Sequence, residues 1–119
     1  MAIETMPSAV SGYIEATNSF NLDGLVALFD DDALVNDHRD EFIGKERIHA
    51  WAAREIIGAH VTLKVVDARV VGNHVTLKAE VDGDFDKTGL PSPFVLAFYF
   101  CVSGSKISAL VIVNNKTAS

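Results

Sequence analysis

The sequence predicts an α+β domain in which helices come first and a mainly antiparallel sheet follows. Apolar residues in the first thirty positions recur at helical spacing. From position 61 onward they alternate with polar residues in runs separated by glycine-containing turns. The two patterns do not interleave along the chain, as a doubly wound parallel sheet would require. The 119 residues fit one domain, 1–119, and leave no room for two ordinary cores.

Pro7 and Ser8 open the first helix, proline suiting a first turn and serine a cap. Val10, Tyr13, Ile14 and Thr17 form its apolar face, and Asn18, Ser19 and Asn21 end it. A short second helix begins at Asp23 and Gly24, carries Leu25, Val26, Leu28 and Phe29, and is broken by the acidic run Asp30 to Asp32. Ala33 to Asn36 read as a short strand leading to Asp37, and the mixed charges of Asp37 to Glu41 as a loop. A third helix runs from Gly44 to Gly58, with Ile48, Trp51, Ala52 and Glu55 on one face.

Val61, Leu63 and Val65 start the sheet, and the apolar phase then shifts to Val66, Ala68 and Val70, which predicts a bulge near Val65. Gly72 and Asn73 turn the chain. Val75, Leu77, Ala79 and Val81 then alternate cleanly with polar residues. Asp82 to Pro93, with two glycines and two prolines, is a long hairpin loop. Phe94 to Val102 and Ile107 to Val113 are apolar on both faces. Their outer face therefore needs a cover, and a second copy of the chain supplies one without extra helices.

Composition limits the partners. Sixteen acidic against ten basic residues give a net charge of −6, which argues against nucleic acid or an anionic membrane surface. Hydrophobic residues reach 49%, more than a small monomer needs, so the surplus goes to a subunit interface, an internal pocket or a tight core. The single cysteine, Cys101, excludes an internal disulfide and fits a reducing, cytoplasmic setting. The N-terminal residues show no long apolar run that would read as a signal peptide or a membrane span.

Tyr13-Ile14-Glu15, Asp23 to Phe29, Asp31 to Asp37 and Gly44 to Trp51 occur in an order and spacing that resemble the nuclear transport factor 2-like superfamily. Ketosteroid isomerase and the SnoaL-like polyketide cyclases belong to it. The resemblance implies a cone of three N-terminal helices packed on a curved, mainly antiparallel sheet; with the two-faced apolar strands above, the expectation is a homodimer through the outer sheet face. It places Asp37 where the isomerase carries its general base and Tyr13 where it carries an oxyanion-stabilising phenol. The second oxyanion donor falls on Ala97, which has none, and His38 replaces the proline that usually follows the base. The implied activity is cofactor-independent proton abstraction next to a carbonyl of a small hydrophobic molecule, of isomerase, cyclase or lyase type. The alternative is a non-catalytic ligand-binding or dimeric interaction module on the same fold.

The residues themselves leave parallel alternatives. Asp37 is a base if the pocket buries it, or a loop carboxylate tied to nearby backbone or to its charged neighbours. Tyr13 is core, or a donor aimed at a developing oxyanion. His38 is an acid–base group or a solvated loop histidine. Trp51 is core packing or pocket wall, and Glu55 lies at the wet edge of its helix or is a buried acid; Phe29 and, through the resemblance, Ala97 complete the expected pocket lining. His38, His49, His60 and His74 are too scattered to read as a metal site. Cys101, in an apolar strand, reads as inert.

Overall fold

The structure is a computed structural model, described here for residues 3–114. Helix α1 covers Ser8–Asn18 and α2 covers Leu22–Val26. A hairpin of β1 (Phe29–Asp37) and β2 (Asp40–Ile43) follows, then α3 (Lys45–Trp51), which runs directly into a π-helical turn over Ala52–Ile57. Strands β3 (Thr62–Val71), β4 (His74–Asp82), β5 (Val95–Ser103) and β6 (Lys106–Asn114) complete the sheet. The six strands lie in the order β2-β1-β6-β5-β4-β3, and every neighbouring pair is antiparallel except β1 with β6.

Two helices, not three, precede the first strand; α3 comes after the β1–β2 hairpin. Helix α1 begins at Ser8, and Pro7 holds the capping position with no side-chain cap bond. Its buried face is Ala9, Val10, Tyr13, Ala16 and Thr17. Asn18 does more than end the helix. Its amide donates to the Leu63 carbonyl at 3.0 Å and accepts from the Leu63 N–H at 2.7 Å, so it occupies an outer rung of edge strand β3. Further along that edge, Glu4 N–H donates to Ala68 O at 3.1 Å and the Glu4 carboxylate accepts from Val70 N–H at 2.7 Å. An edge covered in this way offers few free backbone groups to another chain.

The second helix stops at Val26, and Phe29 to Asp32 belong to β1 rather than to a helix end. Pairing with β6 decides this: Phe29 aligns with Ile107, whose N–H donates to Leu28 O at 2.7 Å. The acidic residues lie where the β1–β6 register shifts between Phe29 and Leu34, with Asp31 and Asp32 turned to solvent. The expected loop after Asp37 is instead a two-residue hairpin turn. His38 and Arg39 both take left-handed backbone angles, φ 51° and 80°, as a type I′ turn demands. Asn36 Oδ1 steadies the turn by accepting from Arg39 N–H at 3.0 Å.

The bulge expected near Val65 is present, with the β3–β4 register shifting between Val65 and Asp67. Together with irregularities in β1–β6 and β5–β6 it helps bend the sheet. Helix α1 lies against β3 and β6, and α3 against β1 and β2. Between the layers sit Trp51, Tyr13, Phe29, Phe100, Leu25, Ile48, Leu77, Ile107 and Leu110, all fully buried. Each large apolar side chain there contributes about 1.5–3 kcal/mol of burial. Among the described residues no helix is long and apolar enough to cross a membrane.

Candidate functional site

Between α1, the π-helical turn and the concave face of the sheet lies a cavity of about 210 Å³. Leu63, Val81, Leu96, Phe98 and Ile112 supply its sheet wall, and Ile56 and Ala59 come from the π turn and the residues after it. Phe85 and Phe94, from the two ends of the 83–94 loop, close another side with their rings 6.0 Å apart. That loop is tethered by Lys87, whose ammonium bonds Asp82 at 2.6 Å and lies over the Phe85 ring. The same ammonium, with the Gly83 N–H, holds the Asp82 carboxyl below the usual carboxylate range. The polar members of the cavity lining are Tyr13, Thr17, Asp37, His38 and Glu55.

Asp37 reaches the cavity because it is the last residue of β1, one step before the strained turn. Its side chain is 21% exposed. One carboxylate oxygen accepts the Trp51 indole N–H at 3.0 Å, and the other lies 2.6 Å from His38 Nδ1. His38 Nε2 faces the Asn114 side chain at 3.2 Å, and the His38 backbone N–H donates to Ile112 O at 3.0 Å. The left-handed φ of His38 is uncommon for a residue with a Cβ. Here it sets the imidazole beside the carboxylate.

Tyr13 comes from the middle of α1 and is 1% exposed. Its ring packs against Phe29, Phe98 and Phe100, edge-on to Phe29 and to Phe100, the latter at 5.3 Å. Burial and, second, the negative charge of Asp37 push its phenol well above the ordinary tyrosine range. It therefore stays protonated and able to donate. Among the described residues no protein group hydrogen-bonds that hydroxyl.

The other expected lining residues divide. His38 and Glu55 line the cavity. Glu55 is half exposed and paired with Arg54 at 3.0 Å, because the π turn carries it outward and turns Ile56 inward instead. Trp51 does not line the cavity; it is fully buried beside Phe42 and acts on the site through Asp37. Phe29 lies behind Tyr13 and is sealed from the cavity. Ala97 pairs across the sheet with Lys78 and Val113, while its neighbours Leu96 and Phe98 line the cavity, so strand alternation puts Ala97 on the outer face. Thr17, Phe94, Phe98 and Ile112 are among the lining residues that sequence reading missed, as are the apolar residues from the π turn, β3 and β4. Among the described residues, no three His, Cys, Asp or Glu side chains converge in a metal-binding group.

Residues 10–110 match the model of the SnoaL-like domain. The chain belongs to the SnoaL-like family. Its architecture is the α+β nuclear transport factor 2-like fold, with a six-stranded curved sheet. A putative polyketide cyclase from Sinorhizobium meliloti is 26% identical and superposes with a TM-score of 0.80, over 91% of this SnoaL-like chain and 95% of that one. A hypothetical protein of ketosteroid isomerase-like fold from Catenulispora acidiphila, solved in complex with trimethylamine, is 27% identical with a TM-score of 0.76, over 96% and 90% of the two chains. An uncharacterized cystatin-fold protein from Novosphingobium aromaticivorans shares the fold at 24% identity and a TM-score of 0.75, over 92% and 100%. No curated protein matches this SnoaL-like chain.

Proposed function

We propose that this SnoaL-like protein binds a small, mainly apolar carbonyl compound and that Asp37 removes a proton next to the carbonyl. Tyr13 holds the oxygen on which negative charge develops. The observation that carries this reading is that Asp37 and Tyr13, from β1 and α1, line one apolar cavity, with no protein partner on the phenol. A donor kept neutral in a water-poor cavity stabilises an enolate strongly, since little solvent competes for the charge. Trp51 and His38 orient the carboxylate, and His38 is placed to take up or return its proton. His38 and Glu55 form the polar rim. The reaction needs no cofactor, because the carbonyl itself accepts the electron pair. The likeness to a putative polyketide cyclase and to a small-ligand complex supports the same reading.

The test is deuterium uptake next to the carbonyl of 2-tetralone, followed by NMR. The native chain accelerates it. Asp37→Asn, which keeps the shape and the Trp51 contact, lowers the enzyme-catalysed rate by about a hundredfold or more. An unchanged rate rejects Asp37 as the base. One observation favours the second reading, a non-catalytic binding module: both Asp37 oxygens already accept or face donors, and β5 adds only apolar side chains to the cavity. On that reading 2-tetralone binds and no exchange is catalysed.

We also infer that the protein is a single domain, a homodimer through the outer sheet face, and cytoplasmic. Val95, Ala97, Tyr99, Val111 and Val113 alternate with the inward residues of β5 and β6, and Tyr99 is 45% exposed. Light scattering at micromolar concentration reads twice the chain mass if this holds and 12.8 kDa if it does not.

A further inference from the structure

The proposed function leaves one buried polar group unused. Thr17 is fully buried and lines the cavity one helical turn beyond Tyr13. Its hydroxyl is sealed from solvent and has no hydrogen-bond partner among the described residues. A threonine inside a helix ordinarily satisfies its hydroxyl on the carbonyl three or four residues earlier. Here it does not, and an unpaired hydroxyl in such a place destabilises the ligand-free fold. The rest of the wall near it is apolar: Leu63, Val81, Leu96 and Phe98. The sheet strands therefore offer a ketone no hydrogen-bond donor, whereas α1 offers two hydroxyls four residues apart.

We propose that Thr17 is a ligand-contacting, specificity-determining residue whose hydroxyl donates to an oxygen of a neutral one- or two-ring ketone lodged beside Tyr13. The size follows from the cavity, about 210 Å³, which lies below the roughly 300–1,000 Å³ of sites for drug-sized molecules. Neutrality follows from the lining: the acidic groups Asp37 and Glu55 are engaged by Trp51 with His38 and by Arg54. Threonine in a helix populates two χ1 wells, and on this inference a bound ketone selects the one that presents the hydroxyl to the cavity. This inference rests on the cavity being the ligand site but not on Asp37 being a base.

The experiment compares Thr17→Val and Thr17→Ser with the native chain, using thermal melting and NMR titration with 2-tetralone and with tetralin, the same skeleton without oxygen. Thr17→Val keeps the shape and deletes the unpaired hydroxyl. It raises the melting temperature by about 4 °C, weakens 2-tetralone binding about fivefold to tenfold and leaves tetralin binding unchanged. Thr17→Ser retains the preference for the ketone. The titrations are repeated in Asp37→Asn, where the Thr17 effect persists. Exchange absent from the native chain, or unchanged in Asp37→Asn, together with an intact Thr17 effect therefore rejects the catalytic reading alone. A fall in melting temperature for Thr17→Val shows a structural partner for the hydroxyl and overturns the inference. So does an unchanged ratio of ketone to hydrocarbon affinity, or binding of neither compound.

Discussion

The space between helices and sheet is filled at one end and hollow at the other. Strand β5 shows the change within two residues: Phe100 is packed solid, and Phe98 borders the cavity. Helix α1 shows the same gradient, from Val10 in the core, through Tyr13, to Thr17 on the cavity wall. The filled end lies where α2 and α3 pack together and α3 covers β1 and β2. Beyond them only α1, the π turn and the 83–94 loop cover the sheet, and they leave room. Stability is thus concentrated in one half of the layer, and the groups able to do chemistry in the other. Asp37 stands at the boundary, tied to the filled half by Trp51 and to the rim by His38.

Truncation on the two sides of that boundary gives the largest contrast. Phe100→Ala opens a hole in close-packed surroundings and costs about 3–5 kcal/mol in denaturant unfolding. Phe98→Ala enlarges space that already exists and costs less, about 2 kcal/mol. Equal losses would mean that the two ends are packed alike. Next in size is Trp51→Phe, which keeps the ring but removes the donor from a carboxylate. It costs about 1.5–3 kcal/mol and frees Asp37 to turn, which lowers exchange activity without unfolding the chain. No change in either readout would remove Trp51 from the site.

The smallest effect at neutral pH is that of Tyr13→Phe, whose missing hydroxyl has no protein partner to lose. The difference emerges in alkali. The folded chain holds the Tyr13 proton more tightly than the unfolded chain does, through burial and the Asp37 charge. That contribution is complete below about pH 10 and is lost as pH rises beyond it, at up to roughly 1.4 kcal/mol per pH unit. The native chain should therefore lose stability relative to Tyr13→Phe above that pH, as followed by urea unfolding. Parallel curves would place the phenol in water.

Much of this division was legible in the sequence, and the exceptions have physical causes. The alternation of Val75, Leu77, Ala79 and Val81 and the phase shift after Val65 read directly, because one face of those strands meets solvent. Strand β5 did not, because apolar residues on both faces hide the phase. The resemblance alone, in an ungapped register, points to Ala97, whereas Phe98 is the residue that faces the cavity. The start of β1 at Phe29 was set by pairing with β6, almost eighty residues away, against the local helical pattern. The hairpin turn was hidden because His38 and Arg39 occupy positions usually held by asparagine and glycine. The π turn carries no sequence mark beyond Gly58, where a Cβ would come within 2.6 Å of Ala53 O. Asp37 and Tyr13 were legible through the family resemblance. Thr17 read as ordinary apolar-face spacing, and its missing partner is visible only in three dimensions.

The convergence of a carboxylate and a phenol on one hollow is tested most directly by NMR of the chain labelled with carbon-13 at the aspartate carboxyl and the tyrosine ring. Adding 2-tetralone at neutral pH should shift the Asp37 and Tyr13 signals together, along one binding curve, while Tyr99 on the opposite face of the sheet stays fixed. A Tyr13 signal that does not move while the ketone binds, or movement at Tyr99 in its place, would contradict a shared site.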